Sequence, residues 1–158
     1  MKHVLIFLLA ALLPLTACAQ QIPSFDLLDA EGNVVNTTSL IDNNEPFAII
    51  FWATWCHACR RELENLTDES ADWEKPFRLY AVCLDDSRSL ARAKALAANS
   101  EWPVTVLYDT NSEFARALSV SSIPRVFVFN KKGEKIWTIV GYMPGCEDEL
   151  IKTLTRAR

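Results

Sequence analysis

The sequence predicts one α/β domain, a mixed central β-sheet flanked by helices, with an N-terminal β-hairpin extension. Three observations predict it. Apolar runs of strand length alternate with helix-forming segments from residue 47 to residue 129, which favours a sheet covered on both faces. A turn at Glu31-Gly32-Asn33 joins two short strand-like segments ahead of that alternation. A second turn, Asn130-Lys131-Lys132-Gly133-Glu134, leads into one more strand and makes the sheet mixed rather than wholly parallel. At 158 residues and 50% hydrophobic content, the chain suffices for one domain with a substantial core, and no internal repeat divides it.

The first 17 residues fall outside that domain. Met1-Lys2-His3 supplies a positive start, and residues 4–13 form an apolar run too short to span a bilayer, the pattern of a secretory signal peptide. Leu15-Thr16-Ala17-Cys18 resembles the lipobox of bacterial lipoproteins, which implies cleavage before Cys18 and lipid on its sulfur and on the new N-terminus. Ordinary cleavage after Ala17-Cys18-Ala19 is the alternative. Either route puts the mature chain outside the cytoplasm, where disulfides persist, and lipid on Cys18 would anchor it to a membrane surface without spanning it. Residues 18–24 read as a tether and residues 25–158 as the domain.

Along the domain, residues 25–29 and 34–35 form the hairpin, and residues 38–42 a short helical turn. The apolar run 47–52 reads as a buried strand, and 56–70 as a helix on which Cys59, Leu63, Leu66 and Ser70 recur at helical spacing. Residues 77–84 form the next strand, ended by Asp85-Asp86-Ser87. The stretch 89–98 is rich in Ala, Leu, Arg and Lys and predicts a helix. A short strand at 104–108, a short helix within 109–120, strands at 125–129 and 135–140, a loop at 141–145 and an amphipathic helix at 146–154 complete the chain. A net charge of −4 without a basic cluster argues against nucleic-acid binding.

The chemistry concentrates in Trp55-Cys56-His57-Ala58-Cys59, at the junction of the buried strand and the helix. Two cysteines three apart can close a small disulfide ring. At a helix start, free backbone N–H groups and the dipole stabilise a thiolate, the species that attacks disulfides. The alternatives are an inert disulfide or half of a zinc site. Zinc needs four ligands, and His57 is the one nitrogen ligand nearby.

Phe51-Trp52-Ala53-Thr54-Trp55-Cys56 with Cys59, and Ile123-Pro124 about 65 residues later, resemble the thioredoxin superfamily. The closer likeness is to TlpA/ResA-type thiol–disulfide oxidoreductases of bacterial envelopes, over nearly the whole chain from Phe25 onward. The resemblance implies a thioredoxin-like sheet with the strand before Cys56 at its centre. The strand that starts at Ile123-Pro124 lies antiparallel beside it, with a cis bond before Pro124. That edge, together with Trp55, would bind an extended substrate. A trans proline opening an edge strand is the alternative. Trp52 reads as core.

Within this frame Cys56, the more N-terminal, is the nucleophile and Cys59 the resolving cysteine. Two readings of His57 stay open: protonated, it favours the Cys56 thiolate and a more oxidising couple, or it only fills the loop. Ala58 stands where the family usually has proline, so the redox setting does not transfer from relatives, and Glu64 replaces another family proline, so the helix geometry does not transfer either. Glu62 lies one turn below Cys59 on the same helical face and resembles a glutamate of ResA-type sites. It is either partly buried, with a raised pKa and able to accept the Cys59 proton, or a solvated neighbour of Arg60 and Arg61.

Cys83 reads as a small buried hydrophobe. Cys146 is either inert or a third redox thiol near the site, and a bridge through it to another molecule stays open. The implied strand order separates Cys83 from Cys146 by roughly 14 Å, three spacings of about 4.8 Å, beyond disulfide reach.

These residues imply an extracytoplasmic thiol–disulfide oxidoreductase with no cofactor beyond the Cys56–Cys59 disulfide. The resemblance favours reduction of protein disulfides, as in cytochrome c maturation or envelope redox homeostasis, fed by a membrane electron-donor protein. A disulfide-forming oxidase is the close alternative, and a metal-binding role through Cys56, His57 and Cys59 a more distant one. A peroxidase is disfavoured because Ala53 stands where that related family has threonine.

Overall fold

A computed structural model describes residues 19–41, 44–71, 73 and 77–158. The signal peptide assigned to residues 1–17 and the lipidation site assigned to Cys18 lie outside the described residues.

Among the described residues, twelve elements follow the sequence closely. They are β1 (Asp26–Leu28), β2 (Val34–Asn36), a 3-10 turn (Thr37–Ile41), β3 (Phe47–Trp52), α1 (His57–Ser70), β4 (Arg78–Cys83), α2 (Leu90–Ala98), β5 (Thr105–Tyr108), α3 (Glu113–Ala117), β6 (Arg125–Phe129), β7 (Lys135–Val140) and α4 (Cys146–Ala157). The strands form one seven-stranded sheet in the order β2-β1-β5-β4-β3-β6-β7. Strands β3, β4 and β5 run parallel, whereas β6 lies antiparallel to β3, β7 to β6, and β1 to both β2 and β5. The mixed sheet and the N-terminal hairpin are those the sequence predicts.

All six residues of β3 are buried. Side chains alternate across a strand, so Ala48, Ile50 and Trp52 enter one core and Phe47, Ile49 and Phe51 the other. The first core packs under α1, α2 and α4 through Leu63, Leu66, Ala93, Leu150 and Leu154. The second lies under α3 and the 3-10 turn through Phe114, Ala115 and Leu40. Both faces are therefore covered, which is why β3 reads as an unbroken apolar run rather than an alternating one.

The structure differs from the sequence reading at two ends. The tether assigned to residues 18–24 is docked where it is described: Ile22 is buried, its N–H donates to Gly133 O at 2.8 Å, and Lys135 N donates to Gln20 O at 2.8 Å. The apolar Ile22 side chain closes the second core, so the chain joins the fold before Phe25. Helix α4 runs to Ala157, one turn past the predicted end at Leu154, and Leu154 itself lies fully in the first core.

Gly133 closes the β6–β7 turn with φ +76°, and a Cβ there would sit 2.7 Å from Ile41 Cδ1 and 3.2 Å from Ile22 Cγ2. Gly133→Ala is expected to destabilise the protein by roughly 1–2 kcal/mol, through the left-handed backbone and the displaced Ile41. Urea denaturation measures this, and an unchanged midpoint would contradict it.

Candidate active site

The site begins where β3 leaves the sheet. Cys56 N donates to Ala53 O at 3.0 Å, closing a tight turn that swings the chain from strand into helix. Cys56 is the N-cap of α1, and its Sγ accepts the Cys59 N–H at 3.2 Å. A sulfur in that position faces unsatisfied N–H groups and the positive end of the helix, which stabilises negative charge on it. Cys56 and Cys59 are joined as a disulfide with Cα atoms 5.3 Å apart. Cys56 retains 7% exposure and Cys59 none, so of the two residues only Cys56 meets solvent.

The turn is clamped from β4. Asp85, just past the end of β4, accepts Thr54 N–H at 2.6 Å and Thr54 Oγ1–H at 2.7 Å, and Arg92 on α2 donates to Thr54 Oγ1 at 2.7 Å. Burial opposes ionisation of Asp85, but the bonds from Thr54, Cys83 and Ser89 outweigh it and hold the carboxyl below its ordinary range. Sequence reading placed Asp85 in a strand-ending loop, and its contact with Thr54 spans 31 residues.

The Ile123–Pro124 peptide is cis, and Pro124 immediately precedes Arg125, which pairs with Phe51 at the end of β3. Ile123 packs against the core that holds Cys56 and Cys59. Trp52 is buried against Trp102, with ring centroids 5.0 Å apart, whereas Trp55 is 65% exposed. Met143, in the loop after β7, is 67% exposed, and Val140 also faces solvent. Neither was singled out from the sequence, where a methionine and a strand valine give no sign of exposure. Trp55 borders a groove of about 510 Å³, bounded by Leu84, Asp85, Arg88 and Arg92 among others. His57 and Ala58 are exposed, and His57 Nδ1 accepts from Arg60 Nη2 at 2.6 Å.

Behind the disulfide sits a buried acidic cluster between α1 and α4. Glu62 is 2% exposed, which removes the solvated reading despite its neighbours Arg60 and Arg61. Its Oε1 accepts a long bond, 3.8 Å, from Cys146 Sγ, and its Oε2 is buried with no hydrogen-bond partner. Burial first, then the negative charge of Glu147, push the Glu62 pKa up to about 8, against the weaker pull of the Cys146 bond. Glu147, also 2% exposed, accepts from Asn65 Nδ2 at 2.5 Å and from Tyr142 OH at 3.1 Å. Burial pushes Glu147 up, but its own backbone N–H and these two donors hold it below the ordinary glutamate value. Cys146 is pushed up to about 11, mainly by burial and also by the two carboxyls, so it stays a thiol at neutral pH. Cys83 is buried too, donates to Asp85 Oδ2 at 3.3 Å and is raised far above an ordinary thiol. Asn65, Tyr142 and Glu147 were not found from the sequence. Their one signal is that Glu147 follows Cys146 at the start of an acidic helix turn.

A parallel β–α–β unit carrying a Cys-x-x-Cys disulfide at a helix N-cap, beside a cis-proline, defines a thioredoxin-like protein. The AhpC/TSA family profile matches residues 18–136, and the chain belongs to that family. Among curated relatives, thiol-disulfide oxidoreductase ResA of Bacillus subtilis (strain 168) is 24% identical over 122 residues, covering 77% of this chain and 66% of its own. Thiol:disulfide interchange protein DsbE of Tatumella citrea is 30% identical over 114 residues, covering 71% of this chain and 59% of its own. The chain thus spans less than two thirds of either relative. The solution structure of a thioredoxin-like protein from Porphyromonas gingivalis superposes with a TM-score of 0.74 and 37% identity, over 86% of this chain and 90% of the other. The TlpA/ResA likeness drawn from the motifs is borne out, as is the thioredoxin-like fold.

The raised Glu62 pKa makes stability depend on pH in a defined direction. Folded, Glu62 holds its proton up to about pH 8, whereas unfolded it releases it near its ordinary value of 4.5. Its contribution is therefore fully present below about 4.5 and is lost as pH rises to about 8. Glu62→Gln is expected to flatten this dependence and to exceed wild type by on the order of 2 kcal/mol at pH 9. Urea unfolding of the oxidised protein at pH 5 and pH 9 checks it, and parallel profiles for the two proteins would contradict it.

Proposed function

We propose that this protein is an extracytoplasmic thiol–disulfide oxidoreductase that reduces disulfides in other proteins. The observation that carries the reading is the Cys56–Cys59 disulfide at the α1 N-cap, with the proton-holding Glu62 one turn behind it. In the reduced protein the Cys56 thiolate attacks a substrate disulfide, forming a mixed disulfide and releasing one substrate thiol. Cys59 gives up its proton toward Glu62, one turn on along α1, which releases its own in exchange, and the Cys59 sulfur attacks Cys56 Sγ. That closes Cys56–Cys59 and frees the second substrate thiol. The electron pair moves from the dithiol to the substrate, and no cofactor beyond the disulfide takes part.

An extended substrate segment would lie along Ile123. The Pro124 carbonyl is already occupied by the Gly141 N–H at 2.8 Å, which leaves the backbone of Ile123 as the edge to pair with. Trp55 supplies exposed apolar contact, and Met143 and Val140 would extend it.

The address rests on residues 1–18: a signal peptide at 1–17, lipid on Cys18, and the domain held on the outer side of a membrane, in the cell envelope. In this reading the lipid is the anchor; among the described residues no helix is long and apolar enough to cross a membrane. A membrane electron-donor protein would then restore the dithiol, and the substrates would include apocytochrome cysteines or misoxidised envelope proteins.

One observation favours the opposite direction. Arg60, in the first turn of α1, donates to His57 Nδ1, which sets a positive charge against the residue next to Cys56, and positive charge there favours the thiolate and a more oxidising couple.

The Cys56/Cys59 potential, measured in glutathione buffers, decides between the two. A value near about −270 mV is expected, and one near about −120 mV would establish an oxidase instead, by comparison with couples of those potentials. In a separate assay, Cys59→Ala is expected to accumulate substrates on Cys56 as mixed disulfides. Equal trapping by Cys56→Ala would reverse the assigned roles.

A further inference from the structure

We propose that Glu147 is the second half of a proton relay: Glu62 passes a proton to Glu147 as it takes one from Cys59, and Glu147 releases it to solvent beside Tyr142. The proposal deepens the oxidoreductase reading and rests on it.

The need for a second group follows from the state of the first. At neutral pH Glu62 already holds a proton, and a protonated carboxyl cannot take another unless it gives up its own. Beside it stands a carboxyl in the complementary state, since Glu147 keeps its charge. The pair carries one proton and one negative charge.

The geometry supplies the path. Helix α1 contributes Glu62 and, three residues on and on the same face, Asn65. Helix α4 contributes Cys146, which contacts Glu62 Oε1, and the adjacent Glu147, which contacts Asn65. In each glutamate Oε1 is occupied and Oε2 is buried without a partner. Two orphaned carboxyl oxygens in one buried cluster are an unusual cost, and a proton kept on one member leaves the pair with a single negative charge. At the far end Tyr142 OH donates to Glu147 and accepts from Asn65 at 2.6 Å. Tyr142 also lines a surface hollow of about 430 Å³ with His57, Ala58, Arg60, Arg61 and Glu64, where solvent receives the proton.

The other charged groups around the pair are Arg61, which acts on Tyr142, and Glu69 with Asp148, which sit beside Glu147. Cys146 remains a thiol and carries no charge through the cycle.

The step balances. The Cys59 S–H proton goes to one oxygen of Glu62, and the proton on the other oxygen goes to Glu147. The Cys59 sulfur then bonds to Cys56 Sγ, the Cys56–substrate S–S bond breaks, and the substrate leaves as a thiolate with the electron pair. Glu147 afterwards loses its proton to water and the pair returns to its starting charge.

Infrared titration of the oxidised protein reads the Glu62 carboxyl directly, the band being assigned by its loss in Glu62→Gln. In Glu147→Gln the Glu62 midpoint is expected to fall from about 8 by about one pH unit or more, as the neighbouring charge disappears. The single-turnover rate of substrate reduction at pH 7 is expected to fall about 10-fold, within the range for loss of a proton-transfer group. Glu147→Asp keeps the charge on a shorter arm and is expected to hold the Glu62 midpoint near wild type while slowing turnover. A Glu62 midpoint unmoved in Glu147→Gln, or wild-type rates in either variant, would overturn the relay. The titration needs no substrate, so its failure would leave the oxidoreductase reading standing, whereas a redox-inert Cys56–Cys59 pair would remove that reading itself.

Discussion

Everything at the site hangs on β3 being held from four sides. It is hydrogen-bonded along both edges, in parallel to β4 and antiparallel to β6, and it is buried on both faces. Each large side chain on it contributes about 1.5–3 kcal/mol by leaving water. A shift of one residue would move Phe47, Ile49 and Phe51 into the core now filled by Ala48, Ile50 and Trp52. The register is therefore rigid, and with it the point at which the chain leaves the sheet. That point sets Cys56 as the N-cap of α1, aligns Asp85 at the end of β4 with Thr54, and brings Pro124 alongside through the Phe51–Arg125 pair. The sulfur at the α1 N-cap is placed by apolar packing well away from it.

Against this rigid apolar scaffold, the acidic cluster stands out as a place where polar groups remain incompletely paired. Two buried glutamates near each other cannot both ionise, so one must keep a proton. Which one does follows from their helices. Glu147 lies in the first turn of α4, where free N–H groups and the dipole favour negative charge, and it accepts from Asn65 and Tyr142 as well. Glu62 sits in the second turn of α1 and has only the weak Cys146 bond. The asymmetry is local and electrostatic, and it leaves the proton on the carboxyl that shares a helical face with Cys59.

The sequence makes the scaffold legible because its signals are local. An unbroken apolar run, a glycine turn and the strand–Cys-x-x-Cys–helix order each sit within a dozen residues, and the elements appear where these place them. The contacts that tune the site are not local. Thr54 to Asp85 spans 31 residues, Asn65 to Glu147 spans 82, and Cys146 to Glu62 spans 84. Glu62 shows the limit most plainly. Its spacing from Cys59 puts it on the right face, but Arg60 and Arg61 beside it make a solvated glutamate equally readable. Burial is decided by α4, which packs over that face from the other end of the chain. The docking of Ile22 was missed for the same reason, because its partner Gly133 lies more than a hundred residues away.

The chain's four described cysteines show how far environment separates identical groups. Cys56 and Cys59 sit at a helix N-terminus, where the Cys59 N–H donates to Cys56 Sγ and negative sulfur is favoured. Cys83 and Cys146 are buried, and each faces a carboxyl, Asp85 and Glu62 respectively. A thiolate in either place would lack water and stand against negative or potentially negative oxygen, so both remain thiols and serve as donors. The strand order sets Cys83 on β4 and Cys146 beyond β7, with β3 and β6 between them, so they do not pair with each other. Four sulfurs thus divide into one couple free to exchange electrons and two fixed hydrogen-bond donors. The division is made by which end of a helix, and which charge, each sulfur meets.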